Sequence, residues 1–166
     1  NGSYLVKLNK GDAFQVLGQA IGTSADGYDM TGSYVKSVGN AQGECHPIAV
    51  FSGSTRTSIG CGPSAPGTNG DLILQQIFPY QAWGNKYATA PTDRESGPNA
   101  SSHHTNVYRI MVKDPNTEVR VNGVLLPQSQ LIEDRYYQYN SNIADYITSN
   151  KPVLVAQFML APSTSI

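Results

Sequence analysis

Charged residues are scarce in this chain. Asp, Glu, Lys and Arg make up 14% of its 166 residues, whereas an average soluble domain contains roughly 25%. The formal net charge is −1, so the sequence shows none of the basic excess that favours binding to nucleic acid or to an anionic membrane. Nucleic acid is therefore not an expected partner.

Long apolar runs and helical periodicity are also missing. No apolar run approaches the roughly 18 residues of a membrane span, so no membrane span is expected. A single turn of helix near Gln81 is the only helical signal. The chain contains 16 Gly, 10 Pro and 10 Tyr, and this composition favours a β-rich, extracellular domain with many turns.

The residue patterns that carry catalysis or bind metals are absent as well. His46 precedes a proline, and the neighbours His103 and His104 would point to opposite faces of a strand. No Cys-x-x-Cys, His-x-x-x-His, Gly-x-Ser-x-Gly or phosphate-binding glycine motif occurs. We therefore predict a protein that is not an enzyme, with no catalytic residue, no cofactor and no metal ligand.

Three weaker possibilities for a site remain open. The carboxylates are scattered without the spacing of a calcium loop, although a loop could still bind Ca²⁺ through mixed carboxylate and carbonyl oxygens. Asn1 and Asn99 each begin a glycosylation sequon. Of the tyrosines Tyr136, Tyr137 and Tyr139, at least one should face outward, where its ring could contact sugar or protein.

The chain has two cysteines, Cys45 and Cys61. They lie close in sequence, and we predict a disulfide between them. Closing a loop of this size would stabilise the fold by about 3 kcal/mol in the chain-entropy treatment. Two free structural thiols are the alternative. Cys61 stands between two glycines, as a nucleophile could, but the nearby second cysteine favours a bridge.

Short alternating segments predict strands along most of the chain. Residues 3–8 and 13–17 predict a hairpin with its turn at residues 9–12. Residues 107–113 and 118–121 predict a second hairpin, with Tyr108, Ile110 and Val112 on one face and a turn at residues 114–117. Further strands are predicted at residues 72–78, 86–90 and 131–139. Residues 52–70 and 91–105 predict long polar loops.

A strand, turn and buried strand are predicted twice. In the second copy, residues 146–148 form a short strand, residues 150–152 a turn, and residues 153–158 a strand with apolar residues on both faces. In the first copy, residues 34–37 and 46–52 follow the same order around an insertion. Positions that precede these strands in the chain also match: Asn1-Gly2 with Asn122-Gly123, Leu8 with Leu131, and residues 14–16 with residues 137–139.

These matches predict one all-β domain over residues 1–166. Its fold class is an antiparallel β-sandwich built from two related repeat units, with a barrel or propeller-like arrangement as the alternative. The first unit covers about residues 1–53, a connecting segment residues 54–106, and the second unit residues 107–160. The first unit lacks a counterpart of the hairpin that opens the second, so a neighbouring copy could complete its sheet by strand addition.

The order of several short motifs resembles the IgGFc-binding protein N-terminal domain family. The motifs are Leu-Asn-Lys-Gly-Asp-Ala-Phe at residues 8–14, Pro-Ile-Ala-Val-Phe-Ser-Gly at 47–53, the run 71–79 with Trp83-Gly84, and residues 108–110 followed by 116–119 and 121–123. Each motif alone is weak, but their order and spacing are specific and extend over most of the chain. The insertion at residues 38–44 and the missing start of the first unit are departures from the pattern.

The resemblance implies an extracellular binding or scaffold module without catalysis. We therefore predict a non-catalytic binding or adhesion module of a larger cell-surface or secreted protein, with a protein or glycan ligand. The alternative is a structural subunit of an extracellular filament or layer, whose partners are copies of itself. The family's name does not carry antibody binding to this chain, because no Fc-contact motif can be mapped onto it.

Overall fold

The computed structural model describes residues 2–23, 27–57, 71–92 and 105–159. These residues form antiparallel strands and two short 3₁₀ turns, at Tyr80–Ala82 and Gln128–Gln130, so the predicted all-β class is confirmed. The strands are β1 (Phe51–Thr57), β2 (Asp71–Gln76), β3 (Gly84–Ala88), β4 (Asn106–Val112), β5 (Val119–Val121), β6 (Val124–Leu125), β7 (Tyr136–Ser141) and β8 (Tyr146–Phe158). The 3₁₀ turn at Tyr80–Ala82 stands where the helical turn near Gln81 was predicted.

The first compact unit, Asn1–Thr31, is held by turns. Asp12 closes the predicted turn, since its backbone N–H donates to the Asn9 carbonyl at 3.1 Å and its carboxylate accepts from the Asn9 N–H at 2.8 Å. Gly11 supplies the positive φ of 91° that this turn requires. The described residues of this unit contain one isolated bridge, Ala20 to Gly27, and no strand. The hairpin predicted for residues 3–17 therefore has its turn but not its ladder.

Strands β1 and β2 form a separate antiparallel pair. Phe51 pairs with Gln76 and Ser54 with Ile73. Gly53 has no space for a side chain, because a Cβ there would overlap the backbone oxygen of Ile73. This close approach is one reason for a glycine inside a strand.

The remaining six strands form one sheet in the order β6-β5-β8-β4-β7, with β3 also pairing with β8. The sheet is curled into a half-barrel. Strand β8 organises it, because it pairs with β4 and β5 and also with β3.

The core lies on one face of this sheet. Tyr108, Ile110 and Val112 alternate along β4 and are all buried, as their spacing predicts. Val119 of β5 and Ile147 and Val153 of β8 complete the same face. Residues of alternating character therefore become a packed layer because every second side chain of a strand points the same way.

The turn predicted at residues 150–152 is wrong. Residues 146–158 form the single strand β8. Pro152 is tolerated because the ladder is irregular there on both sides of β8. On the side where β8 pairs with β3, the register shifts between Gly84 and Lys86. On the other side, Val153 is the last β8 residue paired with β4 and Ser149 is the first paired with β5, so the residues between them have no ladder partner. A proline in a paired strand needs such a bulge, since it has no N–H to donate.

The hairpin predicted for residues 107–121 is also wrong. Strands β4 and β5 do not pair with each other but follow one another along the same side of β8. The turn at residues 114–117 forms, yet it leads back to β8 because β8 is long enough to pair with both strands. The next turn behaves as predicted. Asn122 and Gly123, with φ of 51° and 84°, join β5 to β6 in a two-residue hairpin.

The two-unit sandwich is not confirmed. Residues 34–50 contain no strand, whereas their counterparts at residues 146–155 lie inside β8. The boundaries at residues 53 and 106 remain predictions. One smaller expectation holds in part, since the strand predicted at residues 131–139 begins at Tyr136.

Candidate binding site

The candidate site is built on a bulge between β4 and β5, here called the 113–118 bulge. Val112 pairs with Val153 and Val119 pairs with Ser149. The chain therefore advances seven residues from β4 to β5 while β8 advances only four. The extra residues cannot stay in the ladder, and they form a loop between its two parts. Bulges of this kind change the direction of side chains and often lie beside functional sites.

The bulge owes its shape to the sequence Asp-Pro-Asn-Thr at residues 114–117. Pro115 fixes the second turn position, and the Thr117 N–H donates to the Asp114 carbonyl at 3.0 Å. The Asn116 N–H donates to the Asp114 carboxylate at 2.9 Å, which is an Asx turn. The Thr117 hydroxyl donates to the Asp114 carbonyl at 2.6 Å, and Thr117 is buried. Local hydrogen bonds therefore hold the loop in one conformation.

Two residues of β8 tie the bulge to the sheet. Asn150 donates its N–H to the Glu118 carbonyl at 3.2 Å and accepts from the Glu118 N–H through its side-chain oxygen at 2.9 Å. Lys151 forms an ion pair with Asp114. The hydrogen bond from Lys151, together with that from the Asn116 N–H, lowers the pKa of Asp114 below its ordinary value of 3.8.

An open cavity of about 400 Å³ lies against this bulge. Its lining combines two lysines, one carboxylate and several apolar surfaces: Tyr80, Lys113, Asp114, Pro115, Thr117, Lys151 and Pro152. The 3₁₀ turn at Tyr80–Ala82 contributes the aromatic ring, and β8 contributes Lys151 and Pro152. The lining therefore comes from three separate segments of the chain.

The two lysines of the cavity differ in their surroundings. Lys151 is paired with Asp114, whereas the Lys113 ammonium lies over the Tyr80 ring, 4.1 Å from its centroid. Tyr80 is itself held by an edge-to-face contact with Trp83, whose ring centroid lies 5.1 Å away. Among the described residues, no carboxylate forms an ion pair with Lys113. The cavity thus presents one cation, Lys113, whose charge no carboxylate of the described residues neutralises.

A model of the family described as IgGFc binding protein matches residues 1–165, nearly the whole chain. The chain belongs to the IgGFc binding protein family. This confirms the resemblance seen in the sequence motifs, and the family implies an extracellular binding module. No curated protein and no solved structure matches the chain. Within the described ranges, no helix is long and apolar enough to cross a membrane.

The tyrosines of β7 are not the open contact surface that the sequence suggested. Tyr137 lies in the core. Tyr136 faces the other side of the sheet, yet it is buried, with the Arg109 guanidinium 5.0 Å from its ring centroid. Tyr139 is half-buried and stacks on Tyr108, with ring centroids 5.2 Å apart.

A buried polar cluster lies beside these rings. Asp145 accepts from the Asn122 side chain through Oδ1 at 2.7 Å, and its N–H donates to the Thr89 hydroxyl oxygen at 2.9 Å. Among the described residues, three buried oxygens make no hydrogen bond of normal geometry: Asp145 Oδ2 and the hydroxyls of Tyr108 and Tyr139. Burial and the nearby Asp145 charge both raise the pKa of Tyr139. This cluster connects β3 and β7 to the start of β8 and is a structural element.

Several of the residues singled out from the sequence lie outside the described part of the chain. Cys45 is exposed, while its predicted partner Cys61 lies outside the described residues, so the disulfide remains a prediction. His103, His104 and Asn99 also lie outside them. His46 contributes only its carbonyl, which accepts from the Ser37 hydroxyl at 2.7 Å. In the described part of the chain no three His, Cys, Asp or Glu side chains are grouped to hold a metal.

Sequence reasoning missed Lys113, Lys151 and Tyr80 as members of one site. Each is an ordinary surface residue when the chain is read alone. The available signal was the Asp-Pro-Asn-Thr turn, which sequence reasoning placed correctly but assigned to a hairpin tip. Its position against β8 follows only from the length of β8.

Proposed function

We propose that this chain is an extracellular, non-catalytic binding module of a larger cell-surface or secreted protein, and that its ligand is a protein. The family match over residues 1–165 carries this proposal. The cavity at the 113–118 bulge supports it, because its lining mixes an aromatic ring, two prolines and charged side chains. Such a mixture suits contact with a protein surface better than the chemistry of a reaction.

The name of the family makes the Fc region of IgG the first ligand to test. The full chain would be immobilised, and binding of purified Fc would be measured by biolayer interferometry, with the Fab fragment as control. Saturable binding to Fc but not to Fab supports the proposal. A glycan array run in parallel tests the other ligand class. Binding to glycans without binding to Fc or to a panel of secreted proteins would contradict a protein ligand.

A second candidate function is a structural subunit of an extracellular filament or layer. Large apolar side chains are exposed in the segments without strands. Examples are Tyr4 at 92% and Leu5 at 84% in the first compact unit, and Tyr34 at 80% in the second compact unit, Gly32–Ile166. Strands β6 and β7 each have a single partner strand in the part of the chain that the structure describes. Unpaired edges and exposed apolar residues are what strand addition from a neighbouring copy would cover.

The two-unit repeat belongs to this second candidate. The sequence matches between the two halves suggest that both can form the same strands. In this proposal the first unit forms them only when a neighbouring copy completes its sheet. Light scattering after size-exclusion chromatography tests the idea over a range of protein concentrations. Polymers with increased strand content in circular dichroism favour the filament subunit. A monomer at all concentrations favours the binding module.

A further inference from the structure

We propose that the cavity at the 113–118 bulge binds a carboxylate group of the protein ligand, and that Lys113 is the residue that contacts it. This inference rests on the proposed binding function and adds the chemical class of the group that is bound. It follows from the charges, the donors and the walls of the cavity.

The charges of the lining leave one cation available. Asp114 and Lys151 form an ion pair and neutralise each other. The nearby Glu118 is 4.0 Å from Arg120 and is also partnered. Lys113 is exposed, and its ammonium contacts the Tyr80 ring instead of a carboxylate. Within the part of the chain that the structure describes, an incoming anion therefore meets Lys113 without first having to displace a carboxylate from it.

The donors of the bulge argue for a singly charged anion. Phosphate sites commonly use several free backbone N–H groups at a nest or a helix N-terminus. Here the N–H groups of Asn116 and Thr117 both donate to Asp114, and Pro115 has none. Recognition therefore depends on a side-chain ammonium, which suits the single charge of a carboxylate.

The walls of the cavity indicate what surrounds that carboxylate. Pro115 and Pro152 are rigid apolar surfaces, and the Tyr80 ring adds an aromatic one. A glutamate or aspartate beside an apolar residue would place its charge on Lys113 and its neighbour against the prolines. Each apolar side chain so buried adds to affinity in proportion to the area removed from water.

The test uses the full chain and two capped peptides, acetyl-Leu-Glu-Pro-amide and acetyl-Leu-Gln-Pro-amide. NMR titration should show saturable shifts at Lys113 and Thr117 with the glutamate peptide, and binding weaker by about five-fold with the glutamine peptide. Lys113→Gln should produce the same loss, and Lys113→Arg should restore binding. Lys86→Gln is the matched control, since Lys86 is exposed on β3 away from the cavity.

Several outcomes would overturn the inference. Equal binding of both peptides, no shift at Lys113, or the same loss from Lys86→Gln would each do so. Free sialic acid is titrated as a further probe, because it carries a carboxylate on a sugar. Binding of sialic acid without the glutamate peptide would contradict a protein source.

The same variants separate this inference from the proposed function. A protein ligand that binds wild type and Lys113→Gln equally leaves the binding function standing and removes the carboxylate site. Glutamate-peptide binding at Lys113, in a chain that binds no secreted protein, would support the site chemistry and contradict the proposed function.

Discussion

Lys151 of β8 forms an ion pair with Asp114 of the 113–118 bulge. The pair joins the two sides of one irregularity, since Asp114 lies in the segment that leaves the ladder and Lys151 in the strand that it leaves. The carboxylate also closes the turn by accepting from the Asn116 N–H. One side chain therefore sets both the shape of the bulge and its attachment to the sheet.

Acid should weaken the bulge through Asp114. Its pKa is lowered in the folded protein, first by the hydrogen bond from Lys151. The ionised carboxylate therefore stabilises the fold fully at pH values above its ordinary pKa of 3.8. This stabilisation is lost as the pH falls through the lower pKa of the folded state. Asp114→Asn should remove this part of the acid dependence. Thermal unfolding followed between pH 5 and pH 2 measures it.

Lys151→Met provides the control for that prediction. It removes the main cause of the shift but keeps the carboxylate, so the pKa of Asp114, measured by NMR titration, should move upward. An unchanged pKa in Lys151→Met would show that the ion pair does not form in solution.

Tyr139→Phe should leave the free energy of unfolding unchanged or raise it by about 1 kcal/mol. Among the described residues, the buried Tyr139 hydroxyl makes no hydrogen bond of normal geometry, although Asp145 lies close enough to raise its pKa. Removing a poorly satisfied polar group removes its desolvation cost. Tyr87→Phe is the contrasting variant. The Tyr87 hydroxyl donates to the Val153 carbonyl at 2.6 Å and accepts from the Gly84 N–H at 2.8 Å, so its loss should destabilise by about 1–3 kcal/mol.

Denaturant unfolding of the two tyrosine variants and the wild type measures both effects. Equal destabilisation by Tyr139→Phe and Tyr87→Phe would contradict the structure, because it would mean that the Tyr139 hydroxyl has a partner as good as those of Tyr87.

Gly53→Ala should disrupt the β1–β2 pair. A methyl group at Gly53 overlaps the Ile73 backbone oxygen, so the strands must separate, at a cost of about 1–3 kcal/mol typical of overpacking. Hydrogen exchange at residues 51–54 and 73–76 is the measurement. Ser52→Ala, one position earlier on β1, should leave the exchange rates nearly unchanged. Similar rates in wild type and Gly53→Ala would contradict the close approach.

Cys45 and Cys61 should form a disulfide in protein from its native compartment. The exposed side chain of Cys45 is accessible to a partner. Non-reducing mass spectrometry should find a mass lower than that of the reduced chain by two hydrogen atoms, and a proteolytic fragment that joins the two cysteines. Two free thiols would contradict the bridge and weaken the extracellular assignment.

The strands of the core could be predicted from the sequence because their side chains alternate. Tyr108, Ile110 and Val112 show the inward face of β4 directly, and Val119 does the same for β5. Pairing could not be predicted with equal success. Residues 150–152 consist of a proline and its polar neighbours. This pattern is typical both of a turn and of a bulge within a long strand. Only the partners on either side of β8 distinguish the two.

The candidate site depends on that unpredicted choice. If residues 150–152 formed a turn, Lys151 would not face Asp114, and the cavity would lose part of its lining. The Lys113 contact with Tyr80 is equally remote from the sequence pattern, because it joins a strand end to a 3₁₀ turn far along the chain.

Strand β8 also has a consequence for the order of events during synthesis. Strands β3, β4 and β5 all take β8 as a partner, yet the ribosome makes residues 146–158 after all three. Until that segment emerges, β3 and β5 lack their main neighbour and the apolar face of β4 is only partly covered. A nascent chain stalled before residue 146 should therefore need chaperone protection that the finished sheet does not.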